Sequence, residues 1–266
     1  MHAIVCIKQV PDTTEVKINP ETGTLIREGV PSIINPFDTY AIEEGLRLKE
    51  KFGGKVTVLS MGPPQAVEAL KEALAMGADE AILLSDRAFA GSDTWATAYT
   101  LSQAIRKIGD YDIIICGKQA IDGDTGQVGP GVACQLGINQ LTYVFKIREM
   151  DPAAKTITVE RLLEEGREVV TSSLPALITV VKDINQPRYP TLLGIRRAAK
   201  TEIPIWTAAD LPGADTTKFG LDGSPTRVIK VFNPPKRGGQ VQIIEGETVQ
   251  EKAAKLADKL LAEKII

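Results

Sequence analysis

The first 140 residues alternate short apolar runs with segments of helical periodicity. The apolar runs span 3–10, 55–61, 79–85 and 111–117. The helical segments span 34–54, about 65–76 and 89–109. This alternation predicts an α/β fold with a doubly wound, mostly parallel sheet and helices on both faces. Such sheets bind ligands outside the carboxyl ends of their strands, so the loops that follow the apolar runs are the candidate sites.

The loop after the fourth apolar run is GKQAIDGDTGQVGPG, residues 117–131. Its glycines lie at positions 117, 123, 126 and 129. Glycine allows a positive φ and a close approach of the backbone to a ligand. The apolar pattern that follows predicts a helix beginning near Thr125 or Gly126, and the free N–H groups of a helix start attract an anion. An ordinary strand-to-helix turn has the same composition, and neither GxxxxGKST nor GxGxxG is present. The spacing alone therefore supports phosphate binding and a simple turn equally.

A second candidate site is FAGSDTWAT, residues 89–97, at the start of the third helical segment. Ser92, Thr94 and Thr97 supply hydroxyl groups beside exposed N–H groups, which suit a phosphate or a ribityl chain. A helix cap without any ligand explains the same residues, and the residue types alone favour that interpretation.

Composition excludes several classes of protein. There are 31 Lys and Arg and 34 Asp and Glu, a net charge of −3, so no overall field favours nucleic acid. No apolar run approaches the roughly 20 residues of a membrane-spanning helix. The N-terminus lacks the basic region and cleavage site of a signal peptide, so we expect a cytoplasmic protein.

The cysteine and histidine content restricts the chemistry. Cys6, Cys116 and Cys134 are odd in number and widely spaced, which favours buried thiols over a disulfide framework or a zinc site. His2, at the terminus, is the only histidine, which excludes His-based triads, three-His metal sites and His general bases. We therefore expect no metal and no catalytic side chain, and assign the chemistry to a bound cofactor.

Near the N-terminus, a weak alternation at 16–30 predicts a hairpin.

The pattern changes after Asn139. Four short runs there are rich in Val, Ile and Thr: 141–148, 156–163, 167–173 and 176–181. They predict an antiparallel addition to the sheet. Residues 201–240 carry many Pro and Gly without periodicity and predict an extended arm, and 248–265 predict an amphipathic helix at its end.

The loop GKQAIDGDTGQVGP closely resembles the nucleotide-binding loop of the electron-transfer flavoprotein beta subunit, and the resemblance extends from residue 1 almost to the end of the chain. The sequence VERLLEEGREVVTSSLPALITV, residues 159–180, resembles that family's signature. The resemblance implies an adenine nucleotide α-hydrolase-like fold. It also implies a nucleotide domain at 1–182, a partner-recognition loop at 183–200, and an arm and helix at 201–266 that embrace an alpha subunit.

In that family the beta subunit binds an adenine nucleotide in the sheet crevice. The resemblance maps this site onto Cys6, Asn35, Asp38, Met61, Gly117, Asp122, Gly126, Gln127 and Val128. Many relatives have Ala or Asn where this chain has Gly126, which limits that position to a backbone contact. The FAD-containing, electron-bifurcating members resemble this chain at FAGSDTWAT and GDTGQVGP. That likeness adds Gly91, Ser92, Asp93, Thr94, Thr97, Gly123, Asp124 and Thr125.

The resemblance implies a heterodimer with an alpha subunit that carries its own FAD. In the bifurcating type, the beta-subunit FAD takes electrons from NADH and sends them along two routes. One route passes through the alpha-subunit FAD to an acyl-CoA or similar flavin dehydrogenase, and the other passes to ferredoxin or flavodoxin. In the second type the beta subunit holds a structural AMP.

The dehydrogenase is expected to dock on the segment 183–200. Tyr189, Leu192 and Leu193 lie beside the basic Arg196, and apolar residues with a charged rim are typical of interfaces. The resemblance implies that Leu192 is the anchor of this contact. Inward packing of the leucines is the alternative.

A nucleotide-sensing regulatory protein without a redox role is the alternative function from another class. Against it, the chain lacks an SGGxDS loop and a self-sufficient C-terminus. A stand-alone hydrolase is disfavoured because no nucleophile and base pair is visible.

Overall fold

The computed structural model describes residues 1–12, 31–230, 238 and 241–265 of the 266-residue chain. The chain divides into two compact units, Met1–Lys230 and Val231–Ile266. The described strands are β1 (His2–Ile7), β2 (Gln9–Pro11), β3 (Ser32–Ile34), β4 (Lys55–Met61), β5 (Glu80–Leu84), β6 (Ile113–Gly117), β7 (Asn139–Asp151), β8 (Thr156–Leu163), β9 (Gly166–Ser173), β10 (Ala176–Val180) and β11 (Ile205–Trp206). The described helices are α1 (Pro36–Phe52), α2 (Val67–Met76), α3 (Thr94–Ile108), α4 (Val128–Leu136), α5 (Leu192–Lys200) and α6 (Val249–Ala262).

The first unit is built on one mixed sheet, which confirms the predicted α/β fold. In the described residues its strand order is β11-β5-β4-β1-β6-β10-β7-β8-β9. Neighbouring strands from β11 to β7 are parallel, and β8 and β9 add antiparallel pairs at the far edge. Burial explains the apolar runs, because a parallel sheet is covered on both faces.

The two faces of the sheet are covered by different helices. One face packs Val5 and Val58 against α1 and α2, through side chains such as Ile42. The other face packs Ile4 and Ile114 against α3 and α4. This arrangement confirms the doubly wound architecture.

The strand β10 corrects the prediction that all four runs after Asn139 add antiparallel strands. It lies between β6 and β7 and is parallel to both. All five of its residues are buried, as a strand with neighbours on both sides and helices on the sheet's faces requires. The antiparallel addition is therefore limited to β8 and β9.

The first strand is shorter than predicted. β1 ends at Ile7, and β2 pairs with β3 in a separate antiparallel ladder. The backbone N–H of Lys8, between the two strands, donates to the Asp38 carboxylate at 2.7 Å instead of continuing the ladder. The predicted hairpin at 16–30 lies outside the described residues.

Residues 201–230 differ from the predicted extended arm, because they belong to the first compact unit. β11 pairs with the edge strand β5. Phe219 is buried, with its ring 5.1 Å from that of Phe89 and 5.6 Å from that of Tyr99. Isolated apolar residues in a Pro- and Gly-rich stretch give no periodic signal, so the sequence could not indicate this packing.

The second unit contains α6, which confirms the predicted helix. The Thr248 hydroxyl accepts from the N–H of Glu251, and the Glu251 carboxylate accepts from the N–H of Glu247. These two bonds fix the start of the helix. No helix in the described ranges has the length and apolar character needed to cross a membrane.

Replacing Phe219 by alanine tests whether 201–230 is part of the folded body. We expect a loss of about 3–5 kcal/mol in the free energy of unfolding, because the change removes a buried aromatic ring and leaves a cavity. Urea denaturation measures this loss. The control Leu221→Ala, at a half-exposed position in the same stretch, should cost about 1 kcal/mol or less. Equal small losses for both variants would show that the stretch is a loose arm.

Candidate functional site

The topology places a crevice at the carboxyl ends of β1 and β6. From β1 the chain passes through α1 to β4 on one side, and after β5 it crosses through α3 to β6 on the other. Cys6 and Cys116 face each other in register on these two strands. A reversal of strand order of this kind is where open α/β sheets bind ligands.

Asn35 joins the start of α1 to the glycine loop. It is the N-cap residue of α1, yet its side chain does not cap the helix. Its amide nitrogen donates to the Gln119 carbonyl at 2.9 Å, and its amide oxygen accepts from the Ile121 N–H at 3.1 Å. The buried Asn35 side chain therefore holds this loop in place by bonding two of its backbone groups.

Asp38 lies below the same loop and is buried. Its carboxylate accepts from the N–H groups of Lys8 and Gly117 and from the side chain of Asn35. Burial raises the pKa of Asp38 to about 7, although these hydrogen bonds and the Lys8 charge oppose the shift. One carboxyl group thus ties the end of β1, the end of β6 and the first turn of α1 together.

The four glycines of the loop have different roles, although glycine allows a positive φ at each of them. Only Gly126 adopts one, at 63°. Gly117 and Gly129 are small for packing reasons: an added Cβ would collide with Asp38 and Phe37 at the first, and with Thr179 at 2.7 Å at the second. At Gly123 an added Cβ would meet no heavy atom of the packed protein within 4 Å. The fold therefore does not require glycine at position 123.

The helix after the loop begins at Val128, two to three residues later than predicted. Asp124 at φ 55° and Gly126 at φ 63° turn the chain before it. Gln127 is the N-cap residue and makes no side-chain cap. The first N–H groups of α4 therefore stay free for an anion, apart from position 130, where proline has none.

The start of α3 is occupied by its own cap. One Asp93 oxygen accepts from the N–H groups of Trp95 and Ala96 at 2.9 and 3.1 Å. The other accepts from the N–H and hydroxyl of Thr226 at 3.0 and 2.8 Å. These donors hold the pKa of Asp93 below its ordinary value despite some desolvation. The Asp93 carboxylate thus occupies the start of α3, where the sequence suggested a phosphate.

The remaining predicted residues of this segment have smaller roles. The Ser92 hydroxyl donates to the Phe89 carbonyl, and Gly91 has a φ of 75°. The Thr97 N–H donates to the Asp93 carbonyl. The Thr94 hydroxyl lies 3.5 Å from the side-chain oxygen of Gln127, so the starts of α3 and α4 meet.

The structure brings the crevice residues together but separates them from the predicted docking residues. Around the crevice, Lys8 pairs with Asp122 at 2.7 Å, Gln119 donates to Asp124, and Met61 packs against the apolar cluster that contains Cys6 and Cys116. Thr125 is exposed in the loop. Tyr189, Leu192, Leu193 and Arg196 lie beside α1 and α2 and are exposed.

Cysteine burial is only partly as expected. Cys6 and Cys116 are buried, and a hydrogen bond between them, with burial, raises the pKa of the Cys116 thiol. Cys134 is exposed, because it faces away from the sheet on α4 while Val132 and Ala133 face inward. Within the described ranges no group of three or more potential ligands could hold a metal.

Sequence reasoning missed the long-range partners of the site. Thr226 and Ser224 bind Asp93 from more than 130 positions away, and Thr179 lies beneath Gly129. No local pattern marks these residues. The ion pair between Lys8 and Asp122 could not be inferred from residue type either.

Comparison with known proteins identifies the family. A model described as "Electron transfer flavoprotein domain" matches residues 22–211. The chain belongs to the electron transfer flavoprotein family. It is 57% identical over 243 residues to an electron transfer flavoprotein subunit beta of Thermoanaerobacterium thermosaccharolyticum, covering 91% of this chain and 92% of the relative.

Two further relatives of this family match over their whole length. The subunit beta of Megasphaera elsdenii is 52% identical over 274 residues, with 100% of both chains covered. The caffeyl-CoA reductase-Etf complex subunit CarD of Acetobacterium woodii is 51% identical over 267 residues, also with 100% of both chains covered. The family assignment therefore rests on the entire chain and confirms the beta-subunit resemblance.

Replacing Asp38 by asparagine should remove a pH dependence of stability. The folded pKa of about 7 lies above the ordinary 3.8, so the unfolded chain ionises first and stability falls as pH rises from about 4 through 7. Between about pH 5 and 8 the wild type should lose on the order of 2 kcal/mol relative to Asp38→Asn. Denaturant titrations of both proteins measure the difference. Parallel stability curves would contradict the assigned pKa.

Proposed function

We propose that this chain is the cytoplasmic beta subunit of a heterodimeric, electron-bifurcating electron-transfer flavoprotein, with FAD in the crevice between β1 and β6. When bound, FAD supplies the redox chemistry: it takes an electron pair from NADH and divides it between the alpha-subunit FAD and ferredoxin or flavodoxin. An acyl-CoA or similar flavin dehydrogenase would be the acceptor at the end of the alpha-subunit route. The observation that carries the proposal is the meeting of the α3 and α4 starts beside the glycine loop.

The residues present fit a dinucleotide. The free N–H groups at the start of α4, with no acidic cap, favour the pyrophosphate. The Thr94 hydroxyl and the Gln127 amide, which meet at 3.5 Å, can bond ribityl hydroxyls. The open space beside Gly123 allows the backbone to approach the ligand.

Asp93 has a different role in this proposal from the one expected from the sequence. Its charge disfavours a phosphate at the start of α3, and its hydrogen bonds hold that start in place. We therefore assign Gly91, Ser92 and Asp93 to shaping the wall of the site. Thr94 and the loop 122–128 make the direct contacts.

The dehydrogenase contact is assigned to the exposed side chains of Tyr189, Leu192 and Leu193, with Arg196 at the rim. Apolar side chains with a charged neighbour are typical of interfaces. The Acetobacterium woodii relative is named as a subunit of a caffeyl-CoA reductase-Etf complex, which supports an acyl-CoA-type partner.

The alpha-subunit contact is assigned to the second unit. Val249, Leu256 and Leu261 lie on the apolar stripe of α6 and are exposed. An apolar stripe of this kind gains free energy when another surface covers it. The alpha subunit is the proposed surface.

Replacing Gly123 by valine tests the ligand site without disturbing the fold. We expect an unchanged melting temperature for the nucleotide-free heterodimer, because a Cβ at position 123 meets no packed atom. The dissociation constant for FAD should rise about tenfold or more, because the side chain fills space that the ligand needs. Quenching of flavin fluorescence on titration of the deflavinated complex measures it.

The matched control is Ala154→Val, a small-to-large change in an exposed turn after β7. It should leave both the melting temperature and the FAD affinity unchanged. Unchanged FAD affinity in Gly123→Val would contradict ligand binding beside the loop.

A further inference from the structure

Three large apolar side chains in the proposed docking segment are exposed to solvent. Tyr189, Leu192 and Leu193 are 92%, 87% and 79% exposed. Side chains this exposed make little contact with the protein that could fix their own backbone. Whatever holds the segment in this conformation must act through the residues on either side.

The anchor before the exposed stretch is Arg188. Its Nε and Nη2 donate to the two oxygens of Glu43 at 2.8 and 3.1 Å, and its backbone N–H donates to Glu43 at 3.1 Å. Nη1 and Nη2 also donate to Glu50 at 2.5 and 3.2 Å. The planar guanidinium is thus held by two carboxylates on α1, a geometry that lysine cannot reproduce.

Burial makes this anchor strong. The Glu43 side chain is only 4% exposed, and although its burial opposes ionisation, the bonds from Arg188 and Arg47 keep its pKa below the ordinary value. Three residues earlier, Asn185 donates to the Tyr40 carbonyl and the Glu44 carboxylate. The chain entering the exposed stretch is therefore bound to α1 at two points.

The anchor after the exposed stretch is the packing of α5 on the end of α2. A Cβ at Gly194 would collide with the Ala75 carbonyl, so the two backbones touch directly. The Arg197 guanidinium donates to the carbonyls of Leu74 and Ala78 at 3.0 and 2.8 Å, satisfying the C-terminal end of α2. The exposed residues thus lie between two fixed points.

We infer that Arg188, held by Glu43, is a positioning residue that preorganises the exposed Tyr189–Leu193 stretch for its partner; this rests on the docking contact of the proposed function. The partner class is a flavin-containing acyl-CoA dehydrogenase. Fixing the segment before encounter removes the ordering cost from binding, so Arg188 acts on affinity without touching the partner. The electron-transfer step within the complex does not depend on it.

The test measures docking and electron transfer separately. The alpha–beta complex, reduced with dithionite and freed of excess reductant, is mixed with rising concentrations of a purified, oxidised acyl-CoA dehydrogenase, and reoxidation of the complex's flavin is followed by stopped flow. We expect Arg188→Ala to raise the half-saturating dehydrogenase concentration about tenfold while the limiting rate stays within about twofold. Glu43→Gln should act in the same direction, and the double variant should be no worse than Arg188→Ala, because both act through one contact.

Three controls make the result decisive. Arg148→Ala removes another arginine–glutamate ion pair, with Glu160 on the antiparallel strands, and should change nothing. Arg188→Lys keeps the charge and should give an intermediate effect, which serves if the alanine variant does not fold. Leu192→Ala tests the docking contact itself and should raise the half-saturating concentration.

The outcomes separate this inference from the proposed function. A normal half-saturating concentration in Arg188→Ala and Arg188→Lys, with a raised one in Leu192→Ala, would overturn positioning but keep the docking site. A lower limiting rate with unchanged half-saturation would show a merely structural role and also overturn it. No effect of Leu192→Ala would overturn the docking site and the positioning inference together.

Discussion

The crevice depends on one buried carboxyl group, Asp38. Its bonds to the N–H groups of Lys8 and Gly117 join the ends of β1 and β6, which already pair with each other, to the first turn of α1. Two consequences follow in the structure: β1 stops at Ile7, and position 117 has no room for a side chain. The loop can therefore be open at Gly123 while its base is rigid, which is what preorganised ligand binding needs.

The two neighbouring helix starts at the crevice differ in whether a side chain caps them. At α3 the Asp93 carboxylate accepts from the first N–H groups, so the partial positive charge of that helix start is already neutralised. At α4 no side chain caps the helix, so its partial positive charge is available. The sequence motif suggested phosphate contacts at both places, and the charge distribution favours only the second. The hydroxyl of Thr94 lies beside this second start, 3.5 Å from the side-chain oxygen of Gln127.

Much of the fold was predictable because local rules agreed with the final packing. Buried parallel strands read as apolar runs, and Asp93 and Gly109 bracket α3 as its cap positions. The misses share one cause: contacts distant in sequence. The parallel placement of β10, the burial of Phe219 and the bond between Thr226 and Asp93 all depend on how separate segments meet. The glycines marked this loop as a candidate site, but which glycine serves packing and which leaves space required the three-dimensional neighbours.

The central claim is that the crevice holds a full flavin dinucleotide, and nucleotide content tests it most directly. The chain is co-expressed with its alpha subunit, the purified complex is denatured, and the released FAD and AMP are quantified per heterodimer. The account predicts two FAD and no AMP. One FAD with one AMP would contradict it, because the crevice would then hold a structural nucleotide and the protein would be a single-route electron carrier.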